Sequence, residues 1–174
     1  IGDLIKMKKL FLMTLGFIFL GCSHQVMAEK FQLSDECAPT VMNMIKCQVA
    51  EDVSSDDAIA SMQLRANILN FKLVGHLPLS KQVKVMGGKS ERMEIFQFCD
   101  ALIAVEMVKY NMAFSGYLPC RITLVEEKGR TYLITLNMDK MLGEAGLPKE
   151  LVSLGVQVRN NIYSIITAGT EGDL

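Results

Sequence analysis

Residues 120–137, CRITLVEEKGRTYLITLN, alternate apolar and polar side chains on both sides of a Lys128-Gly129 pair. Period-two alternation broken by a glycine, which tolerates positive φ, marks two antiparallel strands joined by a tight turn. Ile122 and Leu124 share one face, and Tyr132, Ile134 and Leu136 are expected to pack with them. Leu118 and Cys120 continue the inward series, while Arg121 points to the opposite face. Cys120, at the mouth of the strand, reads three ways: a working thiol, half of a disulfide, or a small buried side chain.

Helices and strands surround this hairpin. Downstream, Pro148 opens a helix that runs to Gly169, with Leu151, Leu154, Val158, Ile162 and Ile165 as its apolar stripe. Upstream, Asp100 caps a helix that lines Leu102, Val105, Val108 and Met112 on one face and ends by Gly116. RMEIFQF (92–98) and FKLVGHL (71–77) read as strands, with LSKQVKVM (79–86) between them as a short helix stopped by Gly87 and Gly88. Acidic and hydroxyl residues in DVSSDDA open a helix over 57–70, where Ile59, Met62, Ala66 and Leu69 recur at helical spacing. The order predicts a two-layer α+β domain over 58–169, one small mixed sheet of about four strands covered by helices, closed by the C-terminal amphipathic helix. Residues 170–174 form a tail. Residues 29–57 read as an N-terminal extension in which TVMNMIKCQVA (40–50) forms a short helix.

The chain has 174 residues, 50% of them hydrophobic, and a formal charge of −1, the composition of one well-cored globular domain. No stripe of Lys and Arg appears, so the counterion release that drives nucleic-acid binding is missing. Lys8 and Lys9 precede an apolar run from Leu10 to Gly21. That run is shorter than the roughly 20 residues of a membrane-spanning helix, and residues 1–28 read as upstream residues followed by a secretory signal peptide. Two processing sites compete. FLGC followed by Ser23 resembles a lipobox that would lipidate Cys22; VMA places Ala28 for ordinary cleavage, releasing the chain from Glu29. Either way the chain is expected to be exported to the periplasm, with a lipid anchor as its only membrane contact.

Export changes what cysteine means, because thiols outside the cytoplasm tend to be oxidised. Besides Cys22, the chain holds Cys37, Cys47, Cys99 and Cys120. Cys37 with Cys47 is the easiest loop to close. No cofactor or metal is expected; the alternative is copper, because the same segment puts Met42 and Met44 between these cysteines, a soft-ligand set suited to Cu(I). Met42 and Met44 are two residues apart, which splays them on a helix.

Cys99 and Cys120 flank the helix begun at Asp100. Parallel strands would hold them at opposite ends of the sheet, beyond the roughly 7 Å Cα separation a disulfide tolerates; antiparallel strands, or a helix that returns to its own starting end, would permit the bond. A thiol at a helix N-terminus is activated by the helix dipole, but the Asp100 carboxylate opposes that, and Asp100 is accounted for as a cap. His76 could serve as base or ligand if the fold brings a cysteine to it. Arg121 reads as a hairpin ion-pair partner of Glu126, or as an anion contact. MGGKS (86–90) lacks the earlier glycine of a phosphate loop and reads as a turn.

GHLPLSKQVKVMGGKSERMEIFQFCDALIAVEMVKY (75–110) and YLPCRITLVEEKGRTYLITLNMD (117–139) together resemble the DUF302 family, notably its exported members. The resemblance spans Ala58 to Gly169. It implies a compact sheet-and-helix fold able to dimerise and supplies no catalytic residues. The resulting expectation is an exported, non-enzymatic binding or accessory protein with a protein partner or a second copy of itself. The alternative is soft-metal or thiol-redox handling through Cys99, Cys120 and His76.

Overall fold

The computed structural model describes residues 31–173. The expected signal peptide and the lipidation candidate Cys22 lie outside the described residues. Six strands form one sheet: β1 (Cys37–Pro39), β2 (Met44–Gln48), β3 (Lys72–Leu77), β4 (Met93–Cys99), β5 (Cys120–Glu127) and β6 (Arg130–Leu136). Their spatial order is β1-β2-β6-β5-β4-β3, and every neighbouring pair is antiparallel. The α+β class stands, but the sheet is larger than the expected four strands and is not mixed.

The two additional strands come from the segment expected to be a separate extension. TVMNMIKCQVA is a strand rather than a short helix: Ile45, Cys47 and Val49 are buried at period two, whereas Lys46 and Gln48 are partly exposed. Asn43 takes positive φ (58°) in the turn that joins β1 to β2, a conformation asparagine tolerates better than most residues. β2 then pairs with β6 inside the sheet, so the domain begins ahead of residue 58.

The 120–137 hairpin forms as its pattern requires, with Lys128 at φ 52° and Gly129 at φ 77°. Its register differs by one residue from the expectation. Ile122 lies opposite Thr135 and Leu124 opposite Leu133, so Leu133 and Thr135 share the inner face. Tyr132, Ile134 and Leu136 project from the other side. Because side chains alternate strictly, counting the turn one residue long reverses a whole strand.

Among the described residues five α-helices accompany the sheet: α1 (Ser55–Ile68), α2 (Leu79–Val85), α3 (Ala101–Tyr110), α4 (Met138–Glu144) and α5 (Lys149–Glu171). A 3-10 helix, Met112–Tyr117, follows α3. Ser54 caps α1 by accepting from Asp57 N, and Asp100 caps α3 by accepting from Leu102 N and Ile103 N. α1 and α5 pack on the inner face of the sheet, joining Met62, Ile162, Tyr163 and Ile166 to Phe96, Phe98, Ile122, Leu124 and Leu133 in one core. A smaller cluster of Ile103, Met107 and Phe114 packs against the first half of α5. On α3 the buried positions are Ile103 and Met107; Leu102, Val105 and Met112, expected inside, are exposed. Among the described residues no helix is long and apolar enough to cross a membrane.

Candidate functional site

The antiparallel topology decides the Cys99–Cys120 question. β4 and β5 are neighbours with Phe98 opposite Cys120, so Cys99 lies one residue beyond. Phe98 and Cys120 share the inner face, and alternation turns the Cys99 side chain to the other. Both cysteines are free thiols. Burial pushes the Cys120 thiol up to about 11, helped by the neighbouring Cys99, and burial together with the Asp100 carboxylate also raises Cys99. Neither is a ready thiolate at neutral pH.

His76 is not with them. It lies opposite Phe96 on β4, three residues and roughly 10 Å along the strand from Cys99. Its ring stacks on Phe96 with centroids 4.5 Å apart. Its Nε2 lies 2.6 Å from Oε2 of Glu94, whose Oε1 accepts from Arg92 Nε at 2.6 Å, and Arg92 in turn reaches Asp56 on α1 at 2.8 Å. Burial would raise the Glu94 carboxyl, but the bonds from Arg92 and His76 outweigh it and hold Glu94 below the usual carboxylate range. An ionised carboxylate only accepts, so His76 donates from Nε2. Glu94 was not among the expected site residues; the signal that points to it is its place as the first of three alternate residues, Glu94, Phe96 and Phe98, that share one buried face.

Cys37 and Cys47 sit opposite each other in the β1–β2 ladder and are joined as a disulfide. A disulfide sulfur is not a thiolate, so the soft-ligand set of that segment reduces to Met42, exposed on the turn, and Met44. Glu126 accepts from Ser55, and Arg130 donates to Gln48, so the expected ion pairs of Arg121 with the hairpin do not form.

A concave site lies where the two apolar clusters meet, at the end of the sheet holding the start of β5 and the end of β6. A cavity of about 330 Å³ opens there, walled by α3 and α5 through Ile103, Met107 and Val158 and by the sheet through Ile134 and Leu136. Phe114 of the 3-10 helix and Met138 and Met141 of α4 close it further. Its volume is at the lower end of the range for small-ligand sites, about 300–1,000 Å³. The polar groups on its wall are few, chiefly Cys120, Arg121, Thr123, Thr135 and the exposed Tyr117. Thr135 Oγ1 donates to the Arg121 carbonyl at 2.8 Å, fixing the backbone at the start of β5. A second, more polar hollow of about 420 Å³ adjoins it across Phe114, Tyr117, Leu136 and Met141. The cavity therefore brings together three of the candidate residues, Met44, Cys120 and Arg121, and leaves His76, Cys99 and Asp100 outside.

The family model for the domain of unknown function DUF302 matches residues 45–169. Among curated proteins none matches the chain. The fold is similar to that in the crystal structure of an uncharacterized conserved DUF302 protein from Bacillus stearothermophilus, with a TM-score of 0.62 and 16% identity over 73% of this chain and 98% of that one. The matched segment starts inside β2 and runs to the last turns of α5, leaving out only β1 among the strands described, and the chain belongs to the DUF302 family.

Proposed function

We propose that this DUF302 domain is a non-enzymatic binding protein that takes a small, largely apolar molecule into the cavity between the sheet end, α3, α4 and α5. The observation that carries the reading is the cavity itself: a hollow walled by aliphatic and methionine side chains, with a handful of polar groups. Methionine is flexible and polarizable, so Met107, Met138 and Met141 suit a wall that adapts to its guest. Export to the periplasm belongs to the same proposal, supported by the leader pattern and by the Cys37–Cys47 disulfide, which is at home in an oxidising compartment. The soft-metal or thiol-redox alternative draws no support from the separation of His76 from the thiols.

The test is titration with Nile red, an uncharged apolar fluorophore. Saturable binding with about one site per chain is expected, and it should vanish in Ala104→Phe, which fills the cavity from α3, while the unfolding midpoint stays near that of the parent. No saturable binding, or equal binding by the filled variant, would refute the reading.

A further inference from the structure

We infer that the guest is an amphiphile with a single acidic head, a medium-chain carboxylic acid, whose chain lies in the cavity and whose carboxylate is held by Arg121. The inference rests on the cavity being the binding site and adds the chemistry of the ligand. Arg121 is exposed at the start of β5 and lines the cavity, and by alternation it projects from the same sheet face as Thr123 and Ile134, which line it too, so a guest's head at the solvent side comes within reach of its guanidinium. Among the described residues it has no ion-pair partner. Its cross-strand neighbour on β4 is Gln97, which is uncharged, and on β6 the register places Leu136 beside it. A planar guanidinium with free donors is suited to a carboxylate, which it can bind through two parallel hydrogen bonds.

The rest of the wall argues for the chain and for the end at which the head sits. Ile103, Met107, Ile134 and Val158 offer nothing to a charge, so an acidic head buried among them would be left unpaired. The other cation in reach, Lys140 of the adjoining hollow, is already tied to Asn43 Oδ1 at 2.7 Å and lies 3.9 Å from Glu144. Among the described residues Arg121 is thus the free positive charge on the cavity wall, and a cationic head would meet it with repulsion.

Decanoate, decanol and decylamine, which share one chain and differ in the head, separate the inference from the reading beneath it when each is used to displace Nile red at neutral pH. Decanoate is expected to bind tighter than decanol by about tenfold or more, with decylamine weakest. Arg121→Gln should bring decanoate to the level of decanol and leave decanol unchanged; Arg121→Lys should restore part of the preference; Lys140→Gln should change none of them. Equal binding of acid and alcohol, or undiminished acid binding by Arg121→Gln, would overturn the acidic head and leave the cavity as a site for neutral guests. Failure of all three to displace the dye would sink the ligand class, and failure of Nile red itself to bind would sink the cavity reading with it.

Discussion

Glu94 is a buried carboxylate on the helix-covered face of a sheet, and its position is tolerable because Arg92 and His76 both donate to it. Its folded-state pKa is lowered, so it contributes stability above the ordinary carboxyl range and that contribution is lost as pH falls through its folded value. Glu94→Gln is expected to be less stable than the parent by about 1–3 kcal/mol at neutral pH. Urea unfolding from about pH 5 down to pH 3 should narrow the difference, because the parent loses the ionised carboxylate while the variant has none to lose. A gap that stays constant over that range would count against the role given to the charge. At this scale the sequence was readable where a residue's neighbours in the chain decide its role: the Asp100 cap is made within residues 100–103. It was silent on His76, whose partners Glu94 and Phe96 are fixed by the β3–β4 register and by no local pattern.

Among the elements, the contact between α1, α5 and β6 is set by Gly169. A Cβ there would lie 2.6 Å from Met62 Cγ, 2.7 Å from Leu133 Cδ1 and 3.3 Å from the Ala58 carbonyl. Three elements converge on one residue without a side chain, and overpacking at such a point costs about 1–3 kcal/mol. Gly169→Ala should therefore lower the thermal midpoint, whereas Gly143→Ala in α4, with open space around its Cβ, should hold or raise it. Equal effects of the two would show that helix propensity and not close approach governs the site. The long helix, α1 and the 120–137 hairpin were legible because each carries enough turns or alternations to show its period. α4 was too short to show one. The 40–50 segment misled because its apolar residues suit a helix or a strand, and only pairing with β6 selects the strand. On α3 the apolar residues are so many that the stripe was ambiguous, and the face that meets α5 is Ile103 and Met107 instead of Leu102 and Val105.

At the scale of the whole molecule, the cavity was illegible because its wall is assembled from β2, α3, the 3-10 helix, β5, β6, α4 and α5, and no stretch of sequence contains it. What was legible was the clasp at the far edge of the sheet. Reducing Cys37–Cys47 is expected to lower the free energy of unfolding by about 2–3 kcal/mol, read as a shift of the urea midpoint with reductant present, and an unchanged midpoint would show the clasp to be idle. The pairing of β2 with β6 places Met44 opposite Leu136, so the interior strand nearest the N-terminus finds its neighbour only after the last strand of the chain has formed. Chains dominated by such non-local pairings fold slowly, on the order of milliseconds to seconds. The disulfide joins residues with a sequence separation of 10 and closes locally. The β1–β2 hairpin can thus be covalently set while β6, the strand it adjoins in the sheet, is still unpaired.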